Sequence, residues 1–146
     1  MMRRFDQFSL VVFNGEVVHG RQVGRTIGFP TANLRVSSEE QLNLSKGVYA
    51  VNVYHQTKKF NGVMNIGLRP TFKEKKPTLS IEVYILDFEK DIYGEQLMIE
   101  IVSFIRDEIR FPSIEQLKQQ LKNDIEKAKT MFLCAGQTDE TFSIII

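Results

Sequence analysis

The chain has 146 residues, a length that fits one domain around one core, expected to take in residues 1–146. Hydrophobic residues make up 42% and charged residues 25%, as in ordinary globular chains, and nineteen basic against eighteen acidic side chains give a net charge of +1. That balance excludes a broad electrostatic reason to bind nucleic acid or an anionic membrane. No apolar run is long enough to span a bilayer. Asp6 and Gln7 interrupt the basic start Met1-Met2-Arg3-Arg4, against a signal peptide. The single cysteine, Cys134, cannot form an internal disulfide, which is compatible with the cytoplasm.

The first hundred residues read as short strands. Phe8 to Val18 is apolar and β-branched, and Asn14-Gly15 within it is a turn pair. Gly20 to Gly28 is a glycine-punctuated loop, followed after Pro30 by a short strand over Thr31 to Val36. Val48 to Tyr54 and Phe60 to Ile66 form a predicted hairpin across the polar stretch His55 to Lys59. Leu68 to Pro77 is a loop with two prolines and four basic residues. Two further strands run from Leu79 to Leu86 and from Leu97 to Ile105, the second with Leu97, Ile99 and Ile101 on one face and Glu100 on the other.

The pattern then changes period. Ser113-Ile114-Glu115-Gln116 reads as a capping box. Leu117, Leu121, Ile125, Ala128 and Phe132 follow at helical spacing, which predicts a helix over about 113–132, ended by Ala135-Gly136. Residues 133–146 match no element, although Ser143 to Ile146 has the composition of a late strand. Many strands followed by one helix imply an antiparallel sheet curled into a barrel and capped by the helix, with the barrel over about 8–105.

The segment richest in chemistry is Gly20-Arg21-Gln22-Val23-Gly24-Arg25-Thr26-Ile27-Gly28-Phe29-Pro30-Thr31-Ala32-Asn33. Its glycines let successive N–H groups approach an anion, and Arg21 and Arg25 add positive charge. Thr31 and Asn33 offer oxygen, the donor type that Mg²⁺ prefers. From composition alone the segment is either a phosphate-and-metal loop or a surface loop between strands. It is not a P-loop, because no Gly-Lys-Ser/Thr ending is present, and its glycine spacing is not that of a dinucleotide fingerprint.

Gly28-Phe29-Pro30-Thr31-Ala32-Asn33 resembles the signature of the riboflavin kinase family. Four more blocks match in order: Gly47-Val48-Tyr49, Asn65 to Phe72, Ile81-Glu82-Val83-Tyr84 with Tyr93-Gly94, and Ile105-Arg106 with Phe111, Leu117 and Asp124. The resemblance runs from about Phe8 to Phe132. It implies a closed six-stranded antiparallel Greek-key barrel with a C-terminal helix, and transfer of the γ-phosphate of ATP to riboflavin. It assigns Mg²⁺ or another divalent cation, with the phosphates, to Thr31 and Asn33. Nucleotide contacts fall to Gly20, Arg21, Gly24, Arg25, Gly28 and Pro30, and flavin contacts to Arg106, Phe111 and Leu117. It makes Glu82 the catalytic base. The implied partners are ATP and riboflavin or FMN for a monomeric enzyme, without nucleic acid or membrane.

Read bare, Glu82 is an ordinary solvated strand residue that alternation sets opposite Ile81 and Val83. His19 reads as a structural hydrogen-bonding residue beside the glycine loop, and His55 as part of a polar turn. Arg69 either touches a ligand or braces its loop. Two histidines and one distant cysteine do not make a zinc site. Without a His-x-Gly-His motif, the chain is expected to stop at FMN rather than continue to FAD. A flavin-binding regulatory or RNA-associated module of the same fold is the alternative, and the joint presence of Thr31, Asn33 and Glu82 argues against it.

Overall fold

Alternation along the strands sorts the side chains into two sets, one facing inward and one facing outward. The computed structural model describes residues 11–19, 28–37, 43–69 and 78–145. Its strands are β1 (Val12–Val18), β2 (Ala32–Arg35), β3 (Gly47–His55), β4 (Lys58–Arg69), β5 (Thr78–Ile85) and β6 (Gln96–Arg106). They close into a barrel in the order β1-β2-β5-β4-β3-β6, with every pair antiparallel. The run β6-β3-β4-β5 sets three consecutive strands beside a fourth that returns next to the first, which is the Greek-key order. Closure removes the sheet edges. Val17, Tyr49, Val51, Met64, Ile66, Ile81, Val83, Leu97, Ile99 and Ile101 fill the interior.

The predicted turn at Asn14-Gly15 is absent. β1 runs straight through it, with Asn14 opposite Met98 and Gly15 opposite Leu97. The glycine serves close packing: a Cβ at Gly15 would lie 3.1 Å from the Leu34 Cβ. His55 is not in the hairpin turn either. It is the buried last residue of β3, and its Nε2 lies 2.8 Å from Glu95 Oε1. The turn itself is only Gln56-Thr57, with Gln56 at φ 57°.

The helix α1 spans Ile114–Ile145, well beyond the predicted stop at Ala135-Gly136. A glycine in a helix interior costs about 1 kcal/mol relative to alanine, which weakens a helix without ending it. A glycine cap requires positive φ, and a helical residue does not supply it. The N-terminus is as predicted: the Gln116 N–H donates to Ser113 Oγ at 3.2 Å. Replacing such a cap with alanine costs about 1 kcal/mol.

A second apolar cluster docks the helix on the outside of the barrel. Val48, Ala50, Val63 and Ile105 meet Ala128, with Ile125, Met131 and Phe132 around them. Two register shifts between β3 and β6 make this surface. Strict alternation from Ile99 and Ile101 would turn Ile105 inward, but the irregular pairing turns it out beneath the helix beside Arg106. Bulges commonly re-aim side chains in this way.

Candidate active site

Antiparallel register aligns a row of outward-facing residues across five strands. Asn33 lies opposite Glu82, Glu82 opposite Asn65, Asn65 opposite Val48, and Val48 opposite Arg106. Residues opposite one another share a face. Ile81, Val83 and Ile85 point into the core, so Glu82 and Tyr84 face outward toward the helix. Glu82 is half-buried there, rather than the solvated strand residue that its local sequence suggests.

Two cavities adjoin this row. The first, about 410 Å³, opens at the end of the barrel between Pro30, Thr31 and the charged loop residues Glu89, Lys90 and Asp91, with Tyr93 on its rim. His19 stacks on Tyr93 with ring centroids 3.8 Å apart. The second lies between barrel and helix, and its walls include Phe29, Thr31, Glu82, Tyr84, Arg106, Phe111 and Leu117. Its volume is about 180 Å³. Its rim at Glu108 and Ile109 is exposed. Thr31 lines both cavities.

Arg106 is tightly held. Its Nε donates to Asp124 Oδ1 at 2.9 Å and its Nη2 to Asp124 Oδ2 at 2.8 Å. Its Nη1 donates to the Asp107 carbonyl at 3.0 Å, and its Cζ lies 5.7 Å from the Phe111 ring centroid. Gln120 Nε2 adds a third hydrogen bond to Asp124, at 3.0 Å. Asp124 is 1% exposed. Removing one partner of such a buried pair typically costs about 3–5 kcal/mol.

The structure therefore gathers Thr31, Glu82, Arg106, Phe111 and Leu117 around one cavity and sets Pro30 in the other. Asn33 lines neither cavity but lies next to Glu82 in the row. Gly28 is exposed at φ 89°, while Gly20, Arg21, Gly24, Arg25 and the Arg69 side chain lie outside the described residues. Local sequence assigned no role to Phe29, Tyr84, Glu108 or Asp124, all of which line the second cavity. Phe29 meets the Tyr84 ring edge-on at 5.8 Å between centroids.

The closed six-stranded antiparallel barrel with one C-terminal helix carries two adjoining cavities that share Thr31, and Glu82 lines the second of them. The Flavokinase family model, described as riboflavin kinase, matches residues 9–132, and the chain belongs to that family. A bifunctional riboflavin kinase/FMN adenylyltransferase from Haemophilus influenzae is 48% identical over 119 residues, which are 81% of this chain and 37% of that protein. The chain thus spans little more than a third of that relative. The crystal structure of riboflavin kinase from Trypanosoma brucei matches with a TM-score of 0.60 at 27% identity, over 84% of this chain and 79% of that one. A Streptococcus pneumoniae structure titled as a macrolide-efflux protein matches with a TM-score of 0.75 at 41% identity, over 81% of this chain and 38% of that one. Among the described residues here, no helix is long and apolar enough to cross a membrane.

Proposed function

We propose that the chain transfers the γ-phosphate of ATP to the 5′-hydroxyl of riboflavin, giving FMN and ADP. The observation that carries this reading is the sharing of Thr31 by two cavities of different character. The barrel-end cavity takes the nucleotide, with Pro30 and Thr31 against its phosphates. The cavity under the helix takes the flavin, between Arg106, Phe111 and Leu117. From Arg106 to Glu82 the sheet crosses three strand spacings, about 14 Å, which suits a tricyclic ring with its polyol chain.

Thr31 and Asn33 present neutral oxygens on the face that carries Glu82. Hard oxygen donors of this kind fit Mg²⁺, which keeps several waters and takes phosphate oxygens as ligands. When bound, the ion would neutralise phosphate charge.

Three carboxylates line the flavin cavity: Glu82, Glu108 and Asp124. Asp124 has both oxygens engaged by Arg106, and Glu108 sits on the exposed rim. Glu82, which lines the same cavity as Thr31 and lies between Asn33 and Asn65, is the one suited to accept the hydroxyl proton. The reading suits a monomer in the cytoplasm, where ATP is abundant.

The direct test is ATP-dependent formation of FMN from riboflavin by the purified chain. Flavin binding without turnover would contradict the enzyme reading. On this reading Thr31→Ala and Asn33→Ala keep the circular dichroism spectrum of the wild type but lower kcat/KM for MgATP by at least about tenfold. Wild-type kinetics in both variants would remove these residues from the site.

A further inference from the structure

We propose that Asp124 is a positioning residue, which fixes the Arg106 guanidinium as a flat wall of the acceptor cavity. The inference rests on the reading of that cavity as the riboflavin site. Among the described residues, Asp124 is the only buried carboxylate. A charge is held in such a place when its partners satisfy it fully. Here Arg106 takes one bond to each oxygen and Gln120 takes a further one. Oδ1 accepts two of these bonds and Oδ2 one, so both oxygens of Asp124 are already engaged, although it lines the cavity.

The consequence falls on Arg106. Two of its nitrogens are directed at Asp124 and the third at the Asp107 carbonyl, so the guanidinium plane has no rotational freedom. The guanidinium carbon lies over the Phe111 ring, 5.7 Å from its centroid. A planar arginine face pre-set in this way loses little entropy when an aromatic ring stacks on it. Asp124 belongs to α1 and Arg106 to the irregular end of β6, so this one pair ties the docking of the helix to the shape of the site.

The test measures riboflavin binding by quenching of flavin fluorescence, with KM and kcat, in Asp124→Asn, Arg106→Lys and the double variant. Thermal melts report the folded fraction of each. In Asp124→Asn the riboflavin KM and Kd rise about tenfold or more, while kcat at saturation stays within about threefold and the MgATP KM within about twofold. The double variant binds riboflavin no worse than Arg106→Lys alone, because both changes remove one arrangement.

A folded Asp124→Asn with wild-type riboflavin KM overturns the proposal, as do losses that multiply in the double variant. A purely structural role would lower the melting temperature and leave KM unchanged. If Asp124→Asn does not fold, Asp124→Glu decides. It keeps the charge but adds a methylene that displaces the guanidinium, so a raised riboflavin KM supports the proposal and an unchanged one overturns it. Wild-type protein that neither quenches nor phosphorylates riboflavin overturns the functional reading, and this inference with it. Wild-type activity with variants indistinguishable from it overturns the inference alone.

Discussion

Glu82→Gln is expected to depress riboflavin turnover by about a hundredfold to ten-thousandfold while riboflavin affinity is nearly preserved. The ribityl hydroxyl is a weak nucleophile whose proton must leave as the bond to phosphorus forms. A carboxylate accepts that proton, whereas an amide of the same size and shape can only hydrogen-bond the hydroxyl. The neighbours of Glu82 in the row, Asn33 and Asn65, are both amides and cannot replace it as a base. Asp124 cannot replace it without releasing Arg106. The measurement is single-turnover FMN formation beside a riboflavin titration. Near wild-type turnover would mean that the proton goes elsewhere, for instance to the phosphate itself, and would remove Glu82 as base while leaving the kinase reading in place.

The face of Glu82 was legible because Ile81, Val83 and Ile85 alternate with it, and strand alternation is a local property. Its neighbours were not. Asn33 and Asn65 flank it only through the pairing of β2, β5 and β4, which joins residues far apart in the chain. The helix stripe from Leu117 to Phe132 was legible for the same local reason, and Ile125, Ala128 and Phe132 do pack on the barrel. Asp124 lies among those apolar positions, yet charged side chains are so seldom buried that burial could not be inferred without Arg106 opposite it. Ile105 was hidden by the irregular β3–β6 pairing, which breaks the two-residue period. Asn14-Gly15 and Gly136 misled for a shared reason. Glycine marks turns and caps statistically, but it also occurs where a neighbour leaves no room for a Cβ, as Leu34 does at Gly15, or simply within a helix at modest cost.

Gly47→Ala is expected to destabilise the fold by about 3 kcal/mol or more, which for a chain of this size lowers Tm by about 6–12 °C. Two costs combine at this position. The backbone has φ 150°, which side-chain-bearing residues rarely adopt, and a Cβ would lie 2.7 Å from the Arg106 carbonyl oxygen and 2.7 Å from Cε1 of Phe104. The carbonyl is backbone, so relief requires β3 and β6 to separate where the strand pairing is already irregular. Gly94 separates the two costs. It too has positive φ, 82°, but nothing lies within 4 Å of its would-be Cβ, so Gly94→Ala carries the conformational cost alone, about 1 kcal/mol. Urea unfolding of both variants checks the difference. Equal losses would mean that crowding at Gly47 is relieved without cost, whereas a larger loss at Gly47, with riboflavin affinity falling beside it, follows from displacing the strand end that carries Arg106.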